Sequence, residues 1–149
     1  MRKKLTACGF SLIEILVVLA IAGGLIAIAL PSLNSATSQT GAQDAAVTYA
    51  QTLRQAKTLA EAGQGDSPWG VRIATSSVIL FKGSSFATRD VTYDNQYAAT
   101  IAFTVSGLSE VDFAKFTGLP NTTGTTTIID LASTTRKNVY INAKGFVIY

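Results

Sequence analysis

The chain has 149 residues, enough for one domain of ordinary size and one additional segment. Its formal net charge of +3 comes from three basic residues at positions 2–4, since the remaining Lys and Arg balance the Asp and Glu. This balance gives no support for a protein that binds nucleic acid. A single Cys and no His exclude a disulfide framework and remove the commonest general base and zinc ligand.

A short basic segment and a long apolar run open the chain. The letters MRKK at positions 1–4 precede Gly9, and residues 10–30 are predominantly apolar. A bilayer span needs about 20 such residues, and the positive-inside rule places the basic end in the cytoplasm. Glu14 is the exception within this run. A carboxylate at the centre of a span costs on the order of 3 kcal/mol, so Glu14 needs a partner even near one end.

The order of basic leader, Gly9, Phe10, Glu14 and apolar run resembles the type IV pilin and pseudopilin family. The resemblance implies that a prepilin peptidase cleaves between Gly9 and Phe10, and that the new N-terminal residue, Phe10, is N-methylated. It also implies a single-pass protein of the cytoplasmic membrane, with a cytoplasmic N-terminus, that later joins an extracytoplasmic filament. The implied partners are the prepilin peptidase, other pilin or pseudopilin subunits, the inner-membrane assembly platform and the cytoplasmic membrane.

Other targeting signals account for this run less completely. A secretory signal is cleaved after an apolar core of about 7–15 residues, which is shorter than this one. A lipobox around Cys8 should follow the apolar region, whereas Cys8 precedes it. A plain signal anchor explains the length and the orientation, but neither Glu14 nor the Gly9-Phe10 junction. It stays open as an alternative.

Four segments follow from these patterns. We expect a leader peptide at residues 1–9, a transmembrane and filament-core helix at 10–30, an amphipathic helical extension at 31–63 and an antiparallel β domain at 64–149. Gly23, Gly24 and Pro31 predict a kink in the helix. Within the extension, an apolar face predicts packing on a sheet. Its members are Ala42, Ala45, Ala46, Tyr49, Leu53, Ala56 and Ala60.

Short β-branched and apolar segments dominate the rest of the chain. Residues 69–73 and 78–81 predict a hairpin, and residues 142–145 predict a tight turn between the last two strands. Further strands are expected near 101–105, 111–116, 125–131, 138–141 and 146–149. The predicted fold class is therefore α+β, with a long N-terminal helix packed on an antiparallel β-sheet or sandwich.

Two short patterns are similar to the H-type minor pseudopilins and related minor pilins. They are the strand Trp69-Gly70-Val71 after the helix and the closing pair formed by residues 139–141 and 145–147. Another minor class or a small major pilin stays open. The resemblance implies a subunit of low copy number at or near the filament tip.

Glu14 carries the clearest functional chemistry in the sequence. Cleavage would leave a new α-amino group on Phe10 at the head of the apolar helix. In a filament whose core consists of these helices, a neighbour's Glu14 could pair with that amine and fix the axial register of the two chains. Pairing within one chain before assembly, and a carboxylate that reaches the headgroups, remain alternatives.

Other polar groupings are weaker. Asp90 and Asp94, with Tyr93 and Asn95, could form a calcium loop, although their spacing matches no calcium motif. Glu110 and Asp112 could share one face of a strand. These patterns lead us to expect no metal, no cofactor and no catalytic residue, so the protein is interpreted as the substrate of an enzyme and not as an enzyme.

Two further patterns concern possible surface functions. Arg136-Lys137 beside Tyr140 is similar to the basic tip of some DNA-binding minor pilins, but two cations are weak evidence. Asn121-Thr122-Thr123 fits the N-glycosylation pattern. Two alternative functions stay open. One is a tip module that binds DNA or adheres to a surface, and the other is a membrane-anchored extracytoplasmic domain that never assembles.

Overall fold

The computed structural model describes residues 11–99, 101–132 and 134–149, and its description of side chains leaves out residues 27–40. The chain forms two compact units, Met1–Ala36 and Thr37–Tyr149. One helix, α1, precedes eight strands in the described chain. The bounds are α1 Leu12–Glu61, β1 Trp69–Ala74, β2 Ser77–Lys82, β3 Asp90–Ala98, β4 Phe103–Gly107, β5 Glu110–Phe113, β6 Gly124–Asp130, β7 Arg136–Ile141 and β8 Val147–Ile148. The predicted α+β class is confirmed.

The helix α1 ends where glycine permits a left-handed conformation. Gly63 has a φ of 62°, and its N–H donates to the Ala60 carbonyl at 3.0 Å. The N–H of Phe116 donates to the same carbonyl at 2.8 Å, so a loop of the β domain also satisfies the helix terminus. The predicted end of the helix near Gly63 is confirmed.

The apolar face predicted for the second half of α1 is confirmed. All seven of its members are buried, and Ala50 extends the face. Small side chains allow the helix axis to approach the strands closely, while Tyr49 and Leu53 fill the remaining space. The residues concerned are Ala42, Ala45, Ala46, Tyr49, Leu53, Ala56 and Ala60.

One antiparallel sheet, here called sheet A, has the strand order β3-β2-β1-β5. The predicted hairpin is present as β1 and β2, which pair from Trp69↔Lys82 to Ala74↔Ser77 around a two-residue turn at 75–76. Gly70 lies at the centre of the sheet, where the buried ring of Phe81 occupies the space that a side chain would need. The glycine of the Trp69-Gly70-Val71 pattern is therefore required by packing.

The other antiparallel sheet, sheet B, has the order β4-β6-β7-β8. The predicted turn between β7 and β8 is present, and it is stabilised by the Asn142 side chain. Its Oδ1 accepts hydrogen bonds from the N–H groups of Lys144 and Phe146 at 2.9 and 3.0 Å. Gly145 has a φ of 73°, which explains the glycine at that position.

The second half of α1 and both sheets enclose one apolar core. Leu53 of the helix, Val71 of sheet A and Ile128 of sheet B belong to it. Tyr49 is a polar member of this core, and its hydroxyl lies 3.4 Å from Oγ1 of Thr126. Thr126 in turn donates to the Leu108 carbonyl at 2.7 Å. Burial raises the pKa of Tyr49 to about 12.

Three details of the strand prediction differ from the structure. No strand was expected at β3, which is rich in Asp, Asn and Gln. The strand expected from residue 101 begins at Phe103. The strand expected over 111–116 ends at Phe113, because Phe116 has a φ of 66° that a strand cannot accommodate.

Within the described part of the chain, no helix combines the length and apolarity needed to cross a membrane.

Candidate functional site

The first candidate site is the beginning of α1. Its first turn forms on Ser11, whose carbonyl accepts from the N–H groups of Glu14 at 3.0 Å and Ile15 at 3.3 Å. The large apolar side chains between Leu12 and Ile26 are exposed around the whole circumference, from 49% at Val17 to 83% at Leu12. A helix that is apolar on every side is one that is normally buried in apolar surroundings.

Glu14 is the single charged residue among positions 11–26, and its side chain is exposed. It stands in the first turn of the helix, where the dipole favours a carboxylate. That effect is worth about 0.3–1 kcal/mol, less than the cost of placing the charge in an apolar medium. Glu14 therefore needs a cationic partner if this helix is surrounded by apolar groups.

The structure describes only some of the other residues predicted to matter in this segment. The cleavage site at Gly9 and Phe10 lies outside the described residues. Gly23 and Gly24 lie within α1, and a side chain built at either would meet nothing within 4 Å. Pro31 lies in the same helix, but its side chain is outside the description. The predicted kink stays a prediction.

The two carboxylates of the alternative calcium loop have partners within the chain. Asp90 and Asp94 lie in β3, where each carboxylate has a partner. Asp94 accepts from the guanidinium of Arg89 at 2.8 and 3.0 Å, and Asp90 accepts from the Thr92 N–H at 3.1 Å. Hydrogen bonding from the Thr92 side chain, and then from its backbone N–H, lowers the pKa of Asp90. In the described residues, no three acidic, Cys or His side chains are grouped so that they could hold a metal ion.

Glu110 and Asp112 lie two residues apart in β5 and so share one face of the strand, as predicted, but each has its own partner. Glu110 lies 3.3 Å from the Arg72 guanidinium and accepts the Phe86 N–H at 2.7 Å. Asp112 is buried and accepts a hydrogen bond from the Asn121 amide. Burial raises the pKa of Asp112, although the bond from Asn121 opposes that change. Asn121, the first residue of the N-glycosylation pattern, therefore uses its side-chain amide in a hydrogen bond within the domain.

The weakly supported basic tip at Arg136-Lys137 does not form a cluster. Successive residues of β7 point to opposite sides of sheet B, so Arg136 and Tyr140 share the exposed face. Lys137 lies on the other side and is half-buried. One cation and one tyrosine on an exposed strand do not provide the row of phosphate contacts that nucleic-acid binding requires.

A cluster around Phe86 was not predicted from the sequence. The Phe86 ring lies between two guanidinium groups, 4.7 Å from Arg72 and 3.6 Å from Arg89, and it meets the Phe81 ring edge-on at 5.6 Å. These contacts hold the turn Phe86–Thr88 on the outer face of sheet A. Arg72 and Glu110 of this cluster are distant in sequence. The register between β1 and β5 places them opposite each other and so brings them together beside Phe86.

No protein-family model, no curated protein and no solved structure matches this chain.

Proposed function

We propose that this protein is a minor subunit of a prepilin-type filament, either the pseudopilus of type II secretion or a type IV pilus. The observation that supports the proposal most strongly is the start of α1, an apolar helix that carries one carboxylate, Glu14, near its beginning. A separate folded α+β unit follows it. A filament subunit needs these two parts, one for the shared core of the filament and one for its surface.

The apolar side chains explain why such a helix needs other helices or a membrane around it. Ten large apolar residues between Leu12 and Ile26 are exposed. Burial of a Leu, Ile or Val side chain stabilises by about 1.5–3 kcal/mol. Together these side chains supply on the order of 20 kcal/mol for insertion into a membrane or for packing in a filament core. We propose that residues 10–30 first span the cytoplasmic membrane and then enter the filament.

The carboxylate of Glu14 would give the assembly its register. Cleavage after Gly9 would place the α-amino group of Phe10 at the head of the helix, four residues before Glu14. A Glu14 carboxylate of one subunit could then pair with the Phe10 amine of its neighbour. An unpaired charge in apolar surroundings is costly, so assemblies out of register would be disfavoured.

The proposal includes the partners and the location. The prepilin peptidase would process the chain, and the inner-membrane assembly platform would draw it from the membrane into a filament beside other subunits. The β domain would lie outside the cytoplasm throughout. The H-type resemblance supports a position at or near the tip, and the requirement for Gly70 beneath Phe81 gives that pattern a structural reason.

Substitution of the residue before the cut tests this proposal. Gly9→Val should leave the full-length precursor in the membrane, because a β-branched side chain then occupies the junction. Gly23→Val is the matched control, since it introduces the same side chain into the apolar run and should be processed normally. The two chain lengths can be compared by immunoblot in cells with active prepilin peptidase. Processing of both variants, or of neither, would contradict the proposal.

A further inference from the structure

A small cleft lies between α1 and the end of β3 in the unit Thr37–Tyr149. The cleft is lined by Asp44, Ala45 and Thr48 on the helix side, and by Val78, Tyr97 and Ala99 on the sheet side. Its volume is about 40 Å³, whereas about 10–15 Å³ holds one water molecule. The cleft therefore has room for roughly three groups of that size.

Regular secondary structure holds the two sides of the cleft in place. Asp44 and Thr48 are four residues apart in α1, so their side chains lie on the same side of the helix. On the other side, Val78 of β2 lies opposite Tyr97 of β3 in the strand register. The chain beyond β3 is held as well, because the Ala99 N–H donates to the Ser76 carbonyl at 2.8 Å.

Asp44 is the charged member of the lining, and it is exposed. Among the residues that the structure describes, no cation and no hydrogen-bond donor is paired with its carboxylate. The carboxylates of Asp66, Asp94 and Asp112, by contrast, each accept a hydrogen bond from another side chain. The negative charge at the cleft is thus left for a cation from outside the chain.

The rest of the lining suits an organic cation. Ala45, Val78 and Ala99 present apolar groups that an alkyl chain can contact. Tyr97 adds an aromatic ring, to which a cation is attracted. Two hydrogen bonds fix that ring, since its hydroxyl donates to Gln55 at 3.1 Å and accepts from the Asn95 amide at 2.9 Å.

The size and chemistry of the cleft distinguish between kinds of cation. A calcium ion takes 6–8 oxygen ligands, and the described lining offers a single carboxylate. A guanidinium group is a planar fork of donors that suits bidentate pairing, whereas an ammonium group is a compact charge on a flexible alkyl stem. An ammonium group and the two methylene groups before it match the room for roughly three groups.

We propose that this cleft binds a primary alkylammonium group, supplied by a Lys side chain of a partner protein. The ammonium group would lie against the Asp44 carboxylate and the Thr48 hydroxyl. Its methylene groups would contact Ala45, Val78 and Ala99. The inference goes beyond the proposed function, because such a side chain would be bound whether or not the chain enters a filament.

Titration of the full-length chain with a blocked lysine tests the inference. The ¹⁵N-labelled protein, in micelles of a zwitterionic detergent, is titrated with Nα-acetyl-lysine N-methylamide and followed by NMR. The amide signals of Ala45 and Ala99 should shift and saturate. Asp44→Asn should weaken the apparent affinity about fivefold, the effect expected for the loss of one exposed ion pair. Asp90→Asn is the matched control, since it removes an exposed carboxylate at the other end of β3 and should leave the affinity unchanged.

Two further probes separate charge from shape and a protein source from a free amine. The same lysine derivative acetylated at Nε keeps the alkyl stem without the charge and should not bind. Putrescine should bind no more tightly than its two equivalent amines require, because the described lining holds one carboxylate. Tighter binding would assign the cleft to a free diamine and overturn the Lys side chain as its occupant. Equal affinities of Asp44→Asn and the original chain, or of the charged and the acetylated probe, would overturn the site itself.

Discussion

Glu14 is the residue on which the proposed assembly depends. Glu14→Leu should insert into the membrane at least as well as the original chain, because a charge is removed from the apolar segment. Its assembly with neighbouring subunits should fail or shift in register, since the neighbour's amine loses its counter-charge. Cross-linking between adjacent subunits in filaments measures the effect. Leu16→Ala, which removes apolar surface in the same helix without changing charge, is the control. Normal cross-linking of Glu14→Leu would refute the pairing.

Tyr49 is the residue whose burial has a measurable consequence for titration. Its pKa is about 12 in the folded chain and about 10 when unfolded. The unfolded state therefore releases this proton at lower pH, so the stability contribution of the neutral hydroxyl is complete below pH 10 and is lost as the pH rises through 12. The contribution is on the order of 3 kcal/mol, because one pKa unit corresponds to 1.36 kcal/mol.

A comparison of the original chain with Tyr49→Phe isolates that contribution. The free energy of unfolding of the original chain should fall more steeply between pH 10 and 12 than that of the variant. Below pH 10 the variant should lose only about 1 kcal/mol, because Thr126 retains its bond to the Leu108 carbonyl. Tyr140→Phe, at an exposed site, serves as the control and should leave the pH dependence unchanged. Parallel curves for Tyr49→Phe and the original chain would show that Tyr49 is not buried.

At the scale of elements, strands β1 and β2 show how closely one position can determine packing. Gly70→Ala would place a methyl group against the Phe81 ring, and overpacking of this kind costs about 1–3 kcal/mol. Thermal unfolding should show the loss. Adding Phe81→Leu removes the ring and should recover part of the stability relative to the sum of the single substitutions. Strict additivity of the two substitutions would contradict the packing account.

The elements that the sequence predicts correctly are those whose side chains alternate or repeat clearly. The face from Ala42 to Ala60 and the β1–β2 hairpin are examples, because their apolar residues recur at helical or strand spacing. Strand β3 has no such pattern, since an edge strand is exposed on most of its length and accepts Asp, Asn and Gln. Its presence depends on pairing with β2, which is a tertiary effect.

Among the candidate sites, too, those with a clear sequence pattern could be predicted and those that depend on tertiary contacts could not. Glu14 could be found from the sequence because it interrupts a long apolar run. The cluster of Arg72, Phe86 and Glu110 could not, because its contacts depend on the register between β1 and β5. The possible basic tip at Arg136-Lys137 does not form a cluster for a local reason, since adjacent strand residues face opposite ways.

At the scale of the whole molecule, the arrangement of charge bears on copy number. After position 9, nine Lys and Arg residues and nine Asp and Glu residues are scattered along the sequence, without the obvious complementary blocks that a shaft of identical copies needs. A small number of copies at or near the tip is the expected outcome. Counting subunits in purified filaments and labelling with an antibody to the β domain should show a few copies at one end. Dense labelling along the shaft would show a major subunit.

The most direct test of the central claim is the intact mass of the protein extracted from membranes. It should be measured in cells with active prepilin peptidase and in cells without that enzyme. We predict a chain that begins at N-methylated Phe10 in the first case and the uncut precursor in the second. An uncut chain in both, or a mature N-terminus after Ala29, would contradict the account of this protein as a filament subunit.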